Sequence, residues 1–129
     1  YDGVICLAGL EHVTKPWVVV NEMKRILKPG GILLGYVPFL SPYHAMPGYY
    51  GDYFRYTEDG IRSLLEDWVE VRVSAVRGPI ETIGHLLPGG VISSILGKIA
   101  RWFDSKRRSS GKQVSGYYFI ARKKLIFHD

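Results

Sequence analysis

Between Val4 and Val37 the chain reads as strand, helix, strand, and that order restricts its fold more than any other feature. Val4 to Leu7 is a continuous apolar run, the pattern of a parallel strand buried on both faces. Glu11, His12 and Thr14 end the run. Thr14 is placed to cap a helix with Pro16 at an early position. Val19, Val20, Met23, Ile26 and Leu27 recur at helical spacing, while Asn21, Lys24 and Arg25 face outward. Lys28-Pro29-Gly30-Gly31 stops that helix, since proline cannot continue it and glycine accepts the positive φ of the exit. Ile32 to Val37 is a second apolar strand, closed by Pro38. Strand, helix and strand at this spacing form a right-handed parallel crossover, which makes the fold α/β.

The loop from Phe39 to Tyr56, rich in Pro, Gly and Tyr, is too long for a mere connector, and long ordered loops in compact domains are disproportionately functional. Thr57 caps a short helix with Glu58 and Asp59 in its first turn and Ile61, Leu64 and Leu65 turned inward. Val69, Val71, Val73 and Ala75 alternate with Glu70, Arg72 and Ser74, which predicts a half-exposed strand. Tyr117 to Ala121 make a last strand. Between these two strands lies a lid-like insertion at 78–113. Val91, Ile92, Ile95, Leu96, Ile99, Trp102 and Phe103 share one helical face there, beside Lys98, Arg101 and Lys106-Arg107-Arg108. That stripe reads as a lid or ordinary core packing, or as a basic amphipathic surface for peripheral membrane contact through 91–108.

Composition excludes several classes. The chain is 129 residues, 47% hydrophobic and 22% charged, which suits one globular domain or part of one. Cys6 is the sole cysteine, so no internal disulfide or cysteine-based metal site forms, and a reducing, cytoplasmic setting is expected. No apolar stretch reaches membrane-spanning length, and no cleavable leader opens the chain. The net charge of +5 is concentrated late, from Lys98 to Lys124. Without interleaved aromatics or a reading motif it points only weakly to nucleic acid. Tyr1 falls at the start of a strand with no cap or linker before it, which reads as a truncated chain.

Tyr1-Asp2-Gly3-Val4, Leu10-Glu11-His12-Val13, Pro16, Glu22, Arg25, Leu27-Lys28-Pro29-Gly30-Gly31 and Val37-Pro38-Phe39, taken in order, resemble the fourth-strand to fifth-strand region of class I S-adenosylmethionine-dependent methyltransferases. The later set Pro42, His44, Pro47, Asp52, Arg55, Tyr56-Thr57 and Gly60 resembles a subgroup associated with carbohydrate or surface-glycan pathways. The resemblance implies a Rossmann-like sheet of which this chain supplies strands four to seven, ordered four, five, seven, six with the last antiparallel. The glycine-rich cofactor loop and the ribose-binding acid would lie upstream. Gly30-Gly31 follows a helix and has the wrong context for a cofactor cradle.

By the same resemblance S-adenosyl-L-methionine is the cofactor, with Leu7, Ala8, Gly9 and His12 against its methionine end. Glu11-His12 stands at the carboxyl end of a parallel strand, where ligands bind in open α/β sheets. The pair either faces cofactor and acceptor, or else Glu11 caps or pairs near the next helix while His12 packs beneath the pocket. Some relatives hold a divalent metal through Glu-x-x-Glu-His; Ala8 replaces the first glutamate here, and no metal is expected. Glu11 and His44 are the candidate catalytic residues, His44 as general base for a hydroxyl or else a surface residue. Tyr53, Arg55 and Tyr56 are the candidate acceptor contacts. Asp52 and Arg55 alternatively pair to order the loop, and Tyr49, Tyr50, Tyr53 and Tyr56 stack on an acceptor or fill the lid. Val37-Pro38-Phe39 lacks the pattern of nucleic-acid base methylators, which counts against DNA. The expected reaction is methylation of a small-molecule or glycan hydroxyl. Its rivals are an RNA methyltransferase and a non-catalytic module that binds a partner, or a second copy, through an exposed sheet edge.

Overall fold

A computed structural model describes residues 1–86, 94–106 and 112–125. In chain order these form β1 (Gly3–Leu7), a 3-10 turn (Leu10–His12), α1 (Pro16–Ile26), β2 (Ile32–Pro38), α2 (Glu58–Leu64), β3 (Val69–Val76), α3 (Pro79–Leu86), α4 (Ser94–Lys106) and β4 (Gly116–Arg122). The strands make one sheet in the order β1-β2-β4-β3. β1 and β2 are parallel, Val4 opposite Leu33 and Cys6 opposite Gly35, and β4 runs antiparallel to both β2 and β3. This is the order expected of strands four, five, seven and six.

The core lies on one face of the sheet. Leu33, Val37, Tyr117, Phe119 and Ala121 are buried there with Val20 of α1, Ile61 of α2 and Leu65 and Trp68 beyond it. Packing across β2 and β4 depends on Gly35: a Cβ at that position would sit 2.0 Å from Phe119 Cζ, so the Phe119 ring occupies the space that a side chain would fill. Thr57 caps α2 as expected, its Oγ1 accepting from the Gly60 N–H at 3.0 Å. At the end of α1 the chain leaves through Gly30, whose φ of 78° suits glycine.

Four expectations are corrected. β1 is covered on one face only: Val4 and Cys6 pack against the core, whereas Ile5 and Leu7 are 70% and 55% exposed. The run is apolar on both sides, but among the described residues only one side meets a helix layer. Thr14 does not cap α1, because Lys15 occupies the cap position and offers no side-chain bond. Ile26 is exposed on that helix although its spacing matches the inward set. Ile99, Trp102 and Phe103 are exposed, so this part of the stripe is not core. α4 packs against α3 and fastens to it through Asp104, whose carboxylate accepts from the Ile80 and Glu81 N–H groups at the α3 N-terminus, where they lack helical partners. Val91, Ile92, Arg107 and Arg108 lie outside the described residues.

Candidate functional site

β1 ends in an uncommon backbone. Ala8 has φ of 51°, the left-handed region that costs a residue with a Cβ about 1–2 kcal/mol. The Ala8 N–H donates to Tyr36 O at 3.0 Å, and the His12 N–H donates to Gly9 O at 3.2 Å, so the chain turns sharply at the carboxyl end of the parallel pair. Leu7 and Ala8 are left exposed at this turn. Strained backbone of this kind gathers at ligand sites.

The long loop folds back onto that turn. Tyr53 N–H donates to Glu11 O at 2.8 Å and Tyr56 N–H to Pro38 O at 2.9 Å. Asp52, with no side-chain surface exposed, accepts from Arg55 Nη1 and Nη2 and from the His44 N–H. The Arg55 guanidinium beside it holds the Asp52 carboxyl well below the usual carboxylate range, and that pairing in turn raises Arg55.

Two of the expected acceptor contacts have partners within the chain. Arg55 commits its guanidinium to Asp52, Ser41 O, Phe54 O and Pro42 O, leaving no donor for an acceptor. Tyr56 is buried and its hydroxyl donates to Leu10 O at 2.9 Å; burial first, then the Glu11 charge, pushes its phenol above the ordinary range. Both residues position the loop. Tyr53 is exposed and lines an open cleft of about 520 Å³ with His12, Tyr43, Met46, Tyr49 and Tyr50.

Around His12, which lines this cleft, three groups converge. Glu11 is fully buried and neither carboxylate oxygen has a hydrogen-bond partner. Glu11, expected among the catalytic residues, thus presents no exposed surface of its own. His12 Nε2 lies 3.8 Å and His44 Nε2 4.0 Å from Glu11 Oε1. His12 Nδ1 is 2.6 Å from Gly51 O, and His44 Nδ1 is 2.9 Å from Pro42 O and 3.4 Å from Asp52 Oδ2. The imidazoles meet edge to face at 4.9 Å, and Tyr50 lies against His12 at 4.4 Å. Sequence reasoning named Glu11, His12 and His44 one by one and missed that they meet. Burial, followed by the Glu11 charge, pushes the nearby Cys6 thiol up, which makes it a poor nucleophile.

Comparison with known proteins agrees with this architecture. Residues 1–35 match the family model described as a methyltransferase domain. An uncharacterized methyltransferase of Mycobacterium leprae is 48% identical over 42 residues, 30% of this chain and 16% of that protein. Its counterpart in Mycobacterium tuberculosis is 45% identical over the same length. A solved SAM-dependent methyltransferase from Archaeoglobus fulgidus superposes with a TM-score of 0.58 at 14% identity, covering 95% of this chain and 59% of that one. Phosphoethanolamine N-methyltransferase 2 of Haemonchus contortus, solved with S-adenosylhomocysteine, gives 0.55 at 14%, covering 98% and 34%. At such identities the structural likeness concerns the fold. The match covers 16% of each Mycobacterium protein, and the chain covers 59% and 34% of the two solved chains.

Proposed function

We propose that this chain is part of a class I S-adenosylmethionine-dependent methyltransferase, that it forms the acceptor side of the cofactor pocket and that it serves O-methylation of a small molecule or glycan, a reading supported by its sequence match and its Rossmann-like sheet. The observation that carries this reading is the left-handed turn Leu7-Ala8-Gly9, at the carboxyl end of the parallel strands and beside the cleft that His12 lines. S-adenosylmethionine supplies an electrophilic methyl group on a sulfonium that leaves as a neutral thioether. The protein's task is therefore alignment and removal of one proton. Leu7 to Gly9 present backbone and an apolar side chain to the methionine end. Tyr49 and Tyr53 offer exposed ring faces, which suit the flat apolar side of a sugar.

His44 takes the acceptor proton in this reading. Its Nδ1 faces Pro42 O and Asp52, so Nε2 carries the free electron pair. In the full-length protein, Gly9→Arg is expected to weaken S-adenosylhomocysteine binding at least about tenfold by calorimetry, since a long side chain enters the pocket wall. His44→Gln should leave that binding intact and lower the rate with a hydroxyl acceptor by about 10²–10⁴-fold. Unchanged turnover in His44→Gln would remove the base assignment, and unchanged cofactor binding in Gly9→Arg would remove the pocket.

A further inference from the structure

Glu11, His12 and His44 pose a problem that methyl transfer does not solve. A carbonyl oxygen only accepts, so His12 Nδ1 beside Gly51 O and His44 Nδ1 beside Pro42 O each carry the ring hydrogen when neutral. Both Nε2 atoms are then bare, and both face the same oxygen of a buried carboxylate that receives no hydrogen bond. Three electron-pair donors therefore converge with no donor hydrogen among them. At 3.8 Å and 4.0 Å the imidazoles are also too far from Glu11 Oε1 for a hydrogen bond. The Glu11 side chain is buried without a hydrogen-bond partner and three possible ligand atoms converge on it, an arrangement that a bound cation completes.

We propose that Glu11, His12 and His44 bind a first-row divalent transition ion of the zinc type. Their ligand atoms lie within 4.8 Å of one another. Metal–ligand bonds of about 2.0–2.1 Å place neighbouring ligand atoms about 3.3 Å apart in a tetrahedron, so side-chain shifts of about half an ångström close the site. Two imidazoles and one carboxylate select a borderline ion over calcium or magnesium, which take oxygen ligands. The backbone carbonyls on both Nδ1 atoms fix ring orientation and tautomer as outer-shell partners of metal-bound histidines do. This ligand set differs from the Glu-x-x-Glu-His pattern that Ala8 interrupts, because the third group comes from the long loop. The ion would thus tie that loop to the end of β1.

Metal binding is read without cofactor or acceptor, so its failure and that of the methyl-transfer reading are separable. The purified full-length protein is freed of metal with a chelator and titrated with Co²⁺, followed by visible d–d absorption, and with Zn²⁺ by competition. The expected result is one ion per chain, visible bands intense enough to mark four- or five-fold coordination, and affinity at least about tenfold weaker in both Glu11→Gln and His44→Gln. His44 is 40% exposed, so His44→Gln is expected to fold, which circular dichroism checks. Absence of Co²⁺ bands, equal affinity in His44→Gln, or a preference for Ca²⁺ over Zn²⁺ would each overturn the assignment.

Discussion

Replacing Asp52 with asparagine probes whether the loop is held as described. The carboxylate has no exposed side-chain surface and accepts from two Arg55 nitrogens and from the His44 N–H. Asparagine keeps one acceptor oxygen but turns an amide N–H₂ toward groups that only donate. Charge-assisted hydrogen bonds contribute about 1.5–3 kcal/mol each, and breaking a fully buried pair costs about 3–5 kcal/mol. Arg55 keeps 26% of its side chain in water, so the lower part of that span applies, and a loss of about 2–3 kcal/mol is expected. The sign of the pH dependence follows from the lowered Asp52 pKa. The stabilisation is fully present above the ordinary value of 3.8 and is lost as pH falls through the lower folded value. Urea unfolding of both proteins, followed by circular dichroism, should show the full difference at neutral pH and a narrowing one below about pH 4. A difference under about 0.5 kcal/mol, or one that stays constant on acidification, would refute the reasoning.

Tyr56→Phe removes the hydroxyl that donates to Leu10 O and should cost about 1–1.5 kcal/mol in the same unfolding assay; a neutral effect would mean that the buried carbonyl has another donor. Gly35→Ala places a methyl 2.0 Å from Phe119 Cζ and should cost about 1–3 kcal/mol, part of which Phe119→Leu restores in a double-mutant cycle; strict additivity would contradict the contact. Ala8→Gly relieves the left-handed backbone, and after the greater chain entropy of glycine it should stabilise by about 0.5–1 kcal/mol, read as a higher melting temperature. A lower melting temperature would show that Ala8 is not strained.

The parallel pair β1 and β2 was readable because the helix stop at Lys28-Pro29-Gly30-Gly31 and the run after it are local signals, and Thr57 announced its helix in the same way, whereas the places of β3 and β4 in the sheet came from the family resemblance. Burial of whole faces was less readable. Ile5 and Leu7 look like core in the sequence, but whether a second helix layer covers them depends on tertiary neighbours that periodicity does not encode. Of the two readings open for Arg55, the pair with Asp52 is the one formed, while the bond from Tyr56 to Leu10 O was not legible, because a polar side chain in a loop looks available until its partners are known. The meeting of His44 with Glu11 and His12 was invisible, since it depends on the path of an irregular loop set by the bonds from Tyr53 and Phe54 back to Glu11 O.

The central claim is that the turn after β1 is one wall of a cofactor pocket, and amide hydrogen exchange in the protein with and without S-adenosylhomocysteine tests it most directly. The account predicts slowed exchange across Leu7 to His12 and in the loop around Tyr49 to Tyr53. Protection elsewhere, with Leu7 to His12 exchanging at the same rate in both states, would contradict it.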